Sequence, residues 1–142
     1  MKSLSPYLMY DGKAEEAFSF YKSILGGEFI DLKRYKDSSE PDYISPADQD
    51  KIMHISLHVG DKITLMACDS VEHMGKHVTS GNNIHLSLNL ESEEKATRIF
   101  NGLSTGGKIE LPLEKTYWGA FFGMCKDKFG IHWMINYHYV KE

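Results

Sequence analysis

The sequence predicts an α+β fold in which two βαβββ modules form a curved mixed sheet with the helices on its outer face. Two amphipathic helices of one design recur in the chain, each preceded by one strand-like run and followed by three, and residues within those runs alternate between apolar and polar. At 142 residues the chain suits a single domain made of two modules, about 1–69 and 83–142, joined by a linker at 70–82.

In the first module "SPYLMY" is the opening strand. The apolar positions Ala14, Ala17, Phe18, Tyr21, Ile24 and Leu25 then follow at spacings of three and four, which places them along one helix face. Asp11 or Gly12 is placed to cap that helix, Glu15 and Glu16 suit the positive end of its dipole, and Gly26-Gly27 ends it. The strands "EFIDLKRY", "IMHISLHV" and "ITLMACD" complete the module, the last two joined at Gly60-Asp61 as a hairpin. Segment 36–51 is polar and carries prolines, so it reads as a long loop, either a lid or binding loop or a disordered stretch.

The second module repeats the order. "NIHLSLNL" leads to a helix capped by Ser92, with Glu93-Glu94 in its first turn, a stripe of Ala96, Ile99, Phe100 and Leu103, and Gly106-Gly107 at its end. "KIELPLEK", "WGAFFGMC" and "IHWMINYHY" follow, the last two separated by "KDKFG". His73 and His77 stand four residues apart in the linker, where they read as solvated loop residues.

Strand alternation sorts the remaining histidines. Leu86, Leu88 and Leu90 share the face expected to pack under a helix, leaving His85, Ser87 and Asn89 on the other. Ile55, Leu57 and Val59 likewise oppose His54, Ser56 and His58, and Trp133 and Ile135 oppose His132, Met134, Asn136 and His138. These polar rows line either a small-molecule pocket or a water-facing sheet surface. The candidate pocket residues are Tyr10, His54, Ser56, His85, Ser87, Trp118, Phe122, His132 and Met134, with Met124 adding soft apolar surface. No catalytic residue is assigned. His132 is a pocket-face residue, able to carry a proton near neutral pH or simply to hydrogen-bond within the sheet.

Several function classes are disfavoured. Sixteen Lys and Arg against twenty Asp and Glu give a net charge of −4, which argues against a broad nucleic-acid surface. Two cysteines outside any C-x-x-C pair cannot build a disulfide scaffold or a structural zinc site. No stretch approaches the roughly 20 apolar residues of a membrane span, so a cytoplasmic protein without membrane or nucleic-acid partners is expected. Neither a G-x-G-x-x-G turn nor a phosphate loop is present, since Gly75-Lys76 is followed by His77.

The doubled strand order, together with "SPYLMYDGKAEEAFSFYKSILGG" and the W-G-x-x-F-G-x-x-x-D-x-F-G-x-x-W pattern at 118–133, resembles the vicinal oxygen chelate superfamily of glyoxalases, bleomycin-resistance proteins and extradiol dioxygenases. More narrowly it is similar to the PhnB-like branch. Metal-dependent members hold a divalent ion through one ligand on each of four strands. The resemblance carries those positions onto Pro6, Thr64 or Met66, His85 and Met134, of which only His85 is a good ligand. It therefore implies a small-molecule-binding protein without that metal or any other cofactor, its ligand an unidentified apolar or aromatic molecule, its assembly a homodimer. The alternative is an enzyme of the same superfamily, of lyase, isomerase or dioxygenase type. It would use histidine acid–base chemistry or a relocated metal site drawn from His54, His58, His85 and His132. A fold kept mainly for assembly between chains is the third possibility.

Overall fold

A computed structural model of the chain describes residues 1–39, 41–75 and 78–139. His77 lies outside the described residues. The chain divides into two compact units, Met1–Thr79 and Ser80–Glu142. Each holds one βαβββ module, as the sequence predicts for this α+β fold, and hydrogen bonding groups the strands into two four-stranded mixed sheets, one per unit.

Unit 1 contains β1 (Tyr7–Tyr10), α1 (Ala14–Leu25), β2 (Glu28–Arg34), β3 (Ile52–Val59) and β4 (Ile63–Asp69), with sheet order β1-β4-β3-β2. The β1–β4 pair is parallel and the other pairs are antiparallel. α1 lies against β3 and β4, with Ala14, Ala17, Phe18 and Tyr21 of the helix and Ile55, Leu57, Leu65 and Ala67 of the strands all buried. Burying such side chains contributes about 1.5–3 kcal/mol each for the larger ones.

The cap of α1 comes from elsewhere than the sequence suggested. Lys13 occupies the N-cap position without a side-chain bond, and neither Asp11 nor Gly12 fills the role. The Asp69 carboxylate at the end of β4 instead accepts from the Ala14 N–H at 2.9 Å and from the Ile52 N–H at 2.9 Å. Two backbone donors from distant segments converge on one buried charge, which fixes the helix to the sheet. Segment 36–51 is likewise built: short 3₁₀ turns at Pro41–Tyr43 and Pro46–Asp48 follow one at Tyr35–Asp37. Buried Asp48 accepts from Lys51 at 2.8 Å and from the Ser45 hydroxyl at 3.2 Å. The segment after β4 also packs into unit 1, since Ser70 and Val71 are buried and the Tyr35 hydroxyl donates to the Asp69 carbonyl at 2.7 Å.

Unit 2 contains β5 (Leu86–Asn89), α2 (Glu93–Ser104), β6 (Lys108–Lys115), β7 (Ala120–Lys126) and β8 (His132–His138), in the order β5-β8-β7-β6. Here the cap is local, as expected, with the Ser92 side chain accepting from the Lys95 N–H at 3.1 Å. Ala96, Ile99, Phe100 and Leu103 pack against the face of β6, β7 and β8 that carries Cys125, Trp133 and Ile135. Asp127 organises the "KDKFG" turn. Its Oδ1 accepts from the N–H groups of Phe129 (2.8 Å) and Ile131 (3.1 Å), and its Oδ2 from the Trp133 indole (2.8 Å). The aspartate and second tryptophan of the 118–133 pattern are thus a matched buried pair that closes the hairpin.

Among the described residues no helix is long and apolar enough to cross a membrane. Both cysteines are free and buried. Burial pushes the Cys125 thiol up to about 12, so it stays protonated and is a poor nucleophile.

Candidate functional site

The face of the unit 2 sheet opposite α2 is set by register. Across β7 and β8, Phe122 stands opposite Asn136, Met124 opposite Met134 and Lys126 opposite His132. On the other side of β8, parallel β5 places Ser87 beside Met134 and Asn89 beside Asn136, whose side-chain amide donates to the Asn89 side-chain Oδ1 at 2.9 Å. His85, one residue before β5, comes beside His132 with ring centroids 5.0 Å apart and planes tilted by 57°. Of the expected pocket residues, His85, Ser87, Phe122, His132 and Met134 therefore share one sheet face. Trp118 sits in the turn before β7, half-exposed, its ring 6.1 Å from Phe122 and 5.0 Å from Tyr117.

Glu110 joins this face, and alternation did not identify it. The β6–β7 register breaks between Ile109 and Leu111 and again between Leu111 and Glu114, with Pro112 in the second interval. The irregular edge strand turns Glu110 toward β8. Its Oε1 lies 2.9 Å from His132 Nδ1 and 3.8 Å from His85 Nε2. The three side chains are 16% (His85), 28% (Glu110) and 7% (His132) exposed, and each offers one ligand atom within 4.8 Å of the others. Among the described residues His85 Nε2 is buried without a hydrogen-bond partner. A carboxylate between two imidazoles can orient one ring, exchange a proton with it, or share a cation with both.

The remaining candidates belong to unit 1. His54 and Ser56 lie on the sheet face opposite α1, Ser56 paired with Met66. His54 Nδ1 is 3.0 Å from the Tyr7 hydroxyl, a contact that occupies this ring. Burial pushes the Tyr7 phenol up to about 12, which keeps it neutral. Tyr10 is a correction: it is on the helix side, 4% exposed, with its hydroxyl 3.1 Å from that of Tyr21 and its ring edge-on to Phe18. In "YLMY" every residue is large and apolar or aromatic, so composition did not mark which pair of the four faces α1.

The positions onto which the resemblance carries a metal's ligands hold a poor donor set. Pro6 offers no side-chain donor, Thr64 and Met66 on β4 and Met134 on β8 are weak ligands, and only His85 is a good one.

The glyoxalase/bleomycin resistance protein/dioxygenase superfamily pattern matches residues 3–135, and the chain belongs to that superfamily. It falls in the PhnB-like branch. The chain is similar to Protein YjdN of Escherichia coli (strain K12), with 33% identity over 94% of this chain and 93% of that one. Among solved structures, protein PA1353 from Pseudomonas aeruginosa superposes with a TM-score of 0.86 at 38% identity, covering 97% of this chain and 98% of that one. A PhnB protein from Bacillus cereus superposes with a TM-score of 0.78 at 26% identity, covering 96% of this chain and 99% of that one.

Proposed function

We propose that this protein binds a small apolar or aromatic molecule, in the manner of bleomycin-resistance members of its superfamily, without the superfamily's usual divalent metal. The carrying observation is the make-up of the unit 2 face, where Phe122, Met124 and Met134 form a soft apolar strip bordered by Ser87, Asn89 and Asn136. Such a strip suits a flat or flexible apolar body, and the polar border supplies orientation. We further propose that the chain acts as a cytoplasmic homodimer. Ile109 and Leu111, exposed on edge strand β6, support an interface between copies.

The test is a thermal-shift screen of aromatic compounds on chelator-treated protein, with hits measured by quenching of Trp118. Because the chain has two tryptophans, Trp118→Phe isolates the signal of buried Trp133. Met134→Glu and Phe122→Ala are expected to weaken a true ligand by about tenfold or more, the equivalent of at least 1.4 kcal/mol. Undiminished binding in both variants would move the site off this face.

The contact between His132 and Glu110 favours a second reading, an enzyme of the same superfamily that uses histidine acid–base chemistry. A carboxylate on one ring nitrogen fixes the imidazole's orientation and leaves the other nitrogen for proton transfer. If an activity is found, Glu110→Gln should lower kcat more than it raises KM; an unchanged kcat would remove the pair from the chemistry.

A further inference from the structure

We infer that His85, Glu110 and His132 form a binding site for a divalent transition metal, of the zinc, nickel or cobalt class, wholly within unit 2, a site that retains His85 from the positions used by metal-dependent relatives and takes Glu110 and His132 from outside them. Two independent observations carry it: the convergence of two imidazoles and a carboxylate, and the orphaned His85 Nε2. A buried imidazole nitrogen without a partner calls for an explanation, and a cation shared with its neighbours provides one.

The distances suit such an ion. Donors bound tetrahedrally at about 2.0–2.1 Å from zinc stand roughly 3.4 Å from one another. Glu110 Oε1 is 2.9 Å from His132 Nδ1 and 3.8 Å from His85 Nε2, two contacts that straddle that separation, and all three ligand atoms lie within 4.8 Å of one another. A purely hydrogen-bonded role accounts for half of the arrangement, since Glu110 satisfies His132 and leaves His85 facing the same oxygen beyond hydrogen-bond reach.

The donor set also selects the ion. Two neutral imidazoles with one carboxylate suit zinc, nickel and cobalt, whereas calcium and magnesium require a fuller oxygen shell. Three protein ligands leave at least one coordination position for water or an incoming oxygen, as in open zinc centres. The placement follows from the fold: parallel β5 and β8 bring the histidines side by side, and the irregular β6 carries Glu110 to them.

The experiment uses the full chain freed of metal with EDTA and then of EDTA by dialysis. Zinc and nickel are titrated calorimetrically, and cobalt by visible absorption. One equivalent per chain is expected, with the stronger d–d absorption of cobalt in a low-coordinate, nitrogen-containing site. Loss of an outer-shell partner already weakens metal sites by about 10–100-fold, so Glu110→Gln and His85→Ala should each weaken binding at least that much. His138→Ala, at the exposed end of β8, should leave the affinity unchanged. Glu110→Gln conserves volume at a partly exposed position, so it keeps the test decisive should a histidine variant fail to fold. Absence of stoichiometric binding, or equal affinity in Glu110→Gln and the unsubstituted chain, would overturn the inference. The screen of aromatic compounds is run on metal-free protein, so either result leaves the small-molecule reading to its own test.

Discussion

Gly27 in unit 1 and Gly107 in unit 2 do the same work: each follows a helix and passes so close to the third strand of its module that a Cβ would stand 2.3 Å from the His58 carbonyl oxygen or 2.1 Å from that of Lys126. From that shared anchor the units can be compared position by position. His58 pairs with Thr64 in unit 1, and Lys126 pairs with His132 in unit 2. Ser56 pairs with Met66, as Met124 does with Met134. Three residues beyond the glycine, at the first register break of the edge strand, stand Ile30 in one unit and Glu110 in the other. A common backbone thus carries threonine and isoleucine where its repeat carries histidine and glutamate. Chemistry in this chain is decided by a few side chains on one face, while the helix-facing side keeps the fold.

The comparison can be broken most forcefully at the glycines. Ala at either position must displace backbone, and Gly27 also has φ near +92°, so about 4 kcal/mol of destabilisation is expected in each case. Urea unfolding of Gly27→Ala and Gly107→Ala measures it. Comparable losses support structural equivalence of the two turns; a loss below about 1 kcal/mol in one would show that its strand can give way.

A smaller effect separates the two buried aspartates. Asp127→Ala leaves the Phe129 and Ile131 N–H groups and the Trp133 indole without this acceptor, and a cost of about 3 kcal/mol is expected. Asp69→Ala deprives the Ala14 and Ile52 N–H groups, for about 2 kcal/mol. Amide exchange sharpens the contrast: Asp69→Ala should expose the first turn of α1, whereas Asp127→Ala should loosen the β7–β8 turn. Exchange that rises evenly across both units in either variant would defeat the assignment.

These aspartates also mark what the sequence could and could not convey. Both helices and the strand order were legible because each rests on a repeating apolar period that local residues determine. The Ser92 cap was legible for the same reason, since it reaches only to Lys95. Asp69 was not, because its partners lie 55 and 17 residues away and depend on tertiary placement. In the candidate site, His85, Ser87, His132 and Met134 followed from alternation, which holds wherever a strand is regular. Glu110 sits at a register break, where the period of two fails, and Tyr10 sits in a strand without polar contrast.

The smallest predicted effect concerns Asp48, whose paired setting belongs to unit 1. The Lys51 ammonium, with help from the Glu72 N–H and the Ser45 hydroxyl, holds its carboxyl below the ordinary value of 3.8. A carboxyl lowered by folding contributes stability that is complete above its unfolded value and drains away as pH falls through the folded one. Loss is therefore expected below about pH 4. Asp48→Asn should flatten that acid limb while lowering stability near neutral pH, and stability measured by urea unfolding from pH 6 down to pH 2.5 reads both. A steep limb that survives in Asp48→Asn would place the acid sensitivity elsewhere, with Asp50 beside Lys36 the next group to substitute because its carboxyl is lowered in the same direction. That pair is exposed, so screening should make its contribution smaller and more salt-dependent than that of buried Asp48, and raising the ionic strength tells the two apart.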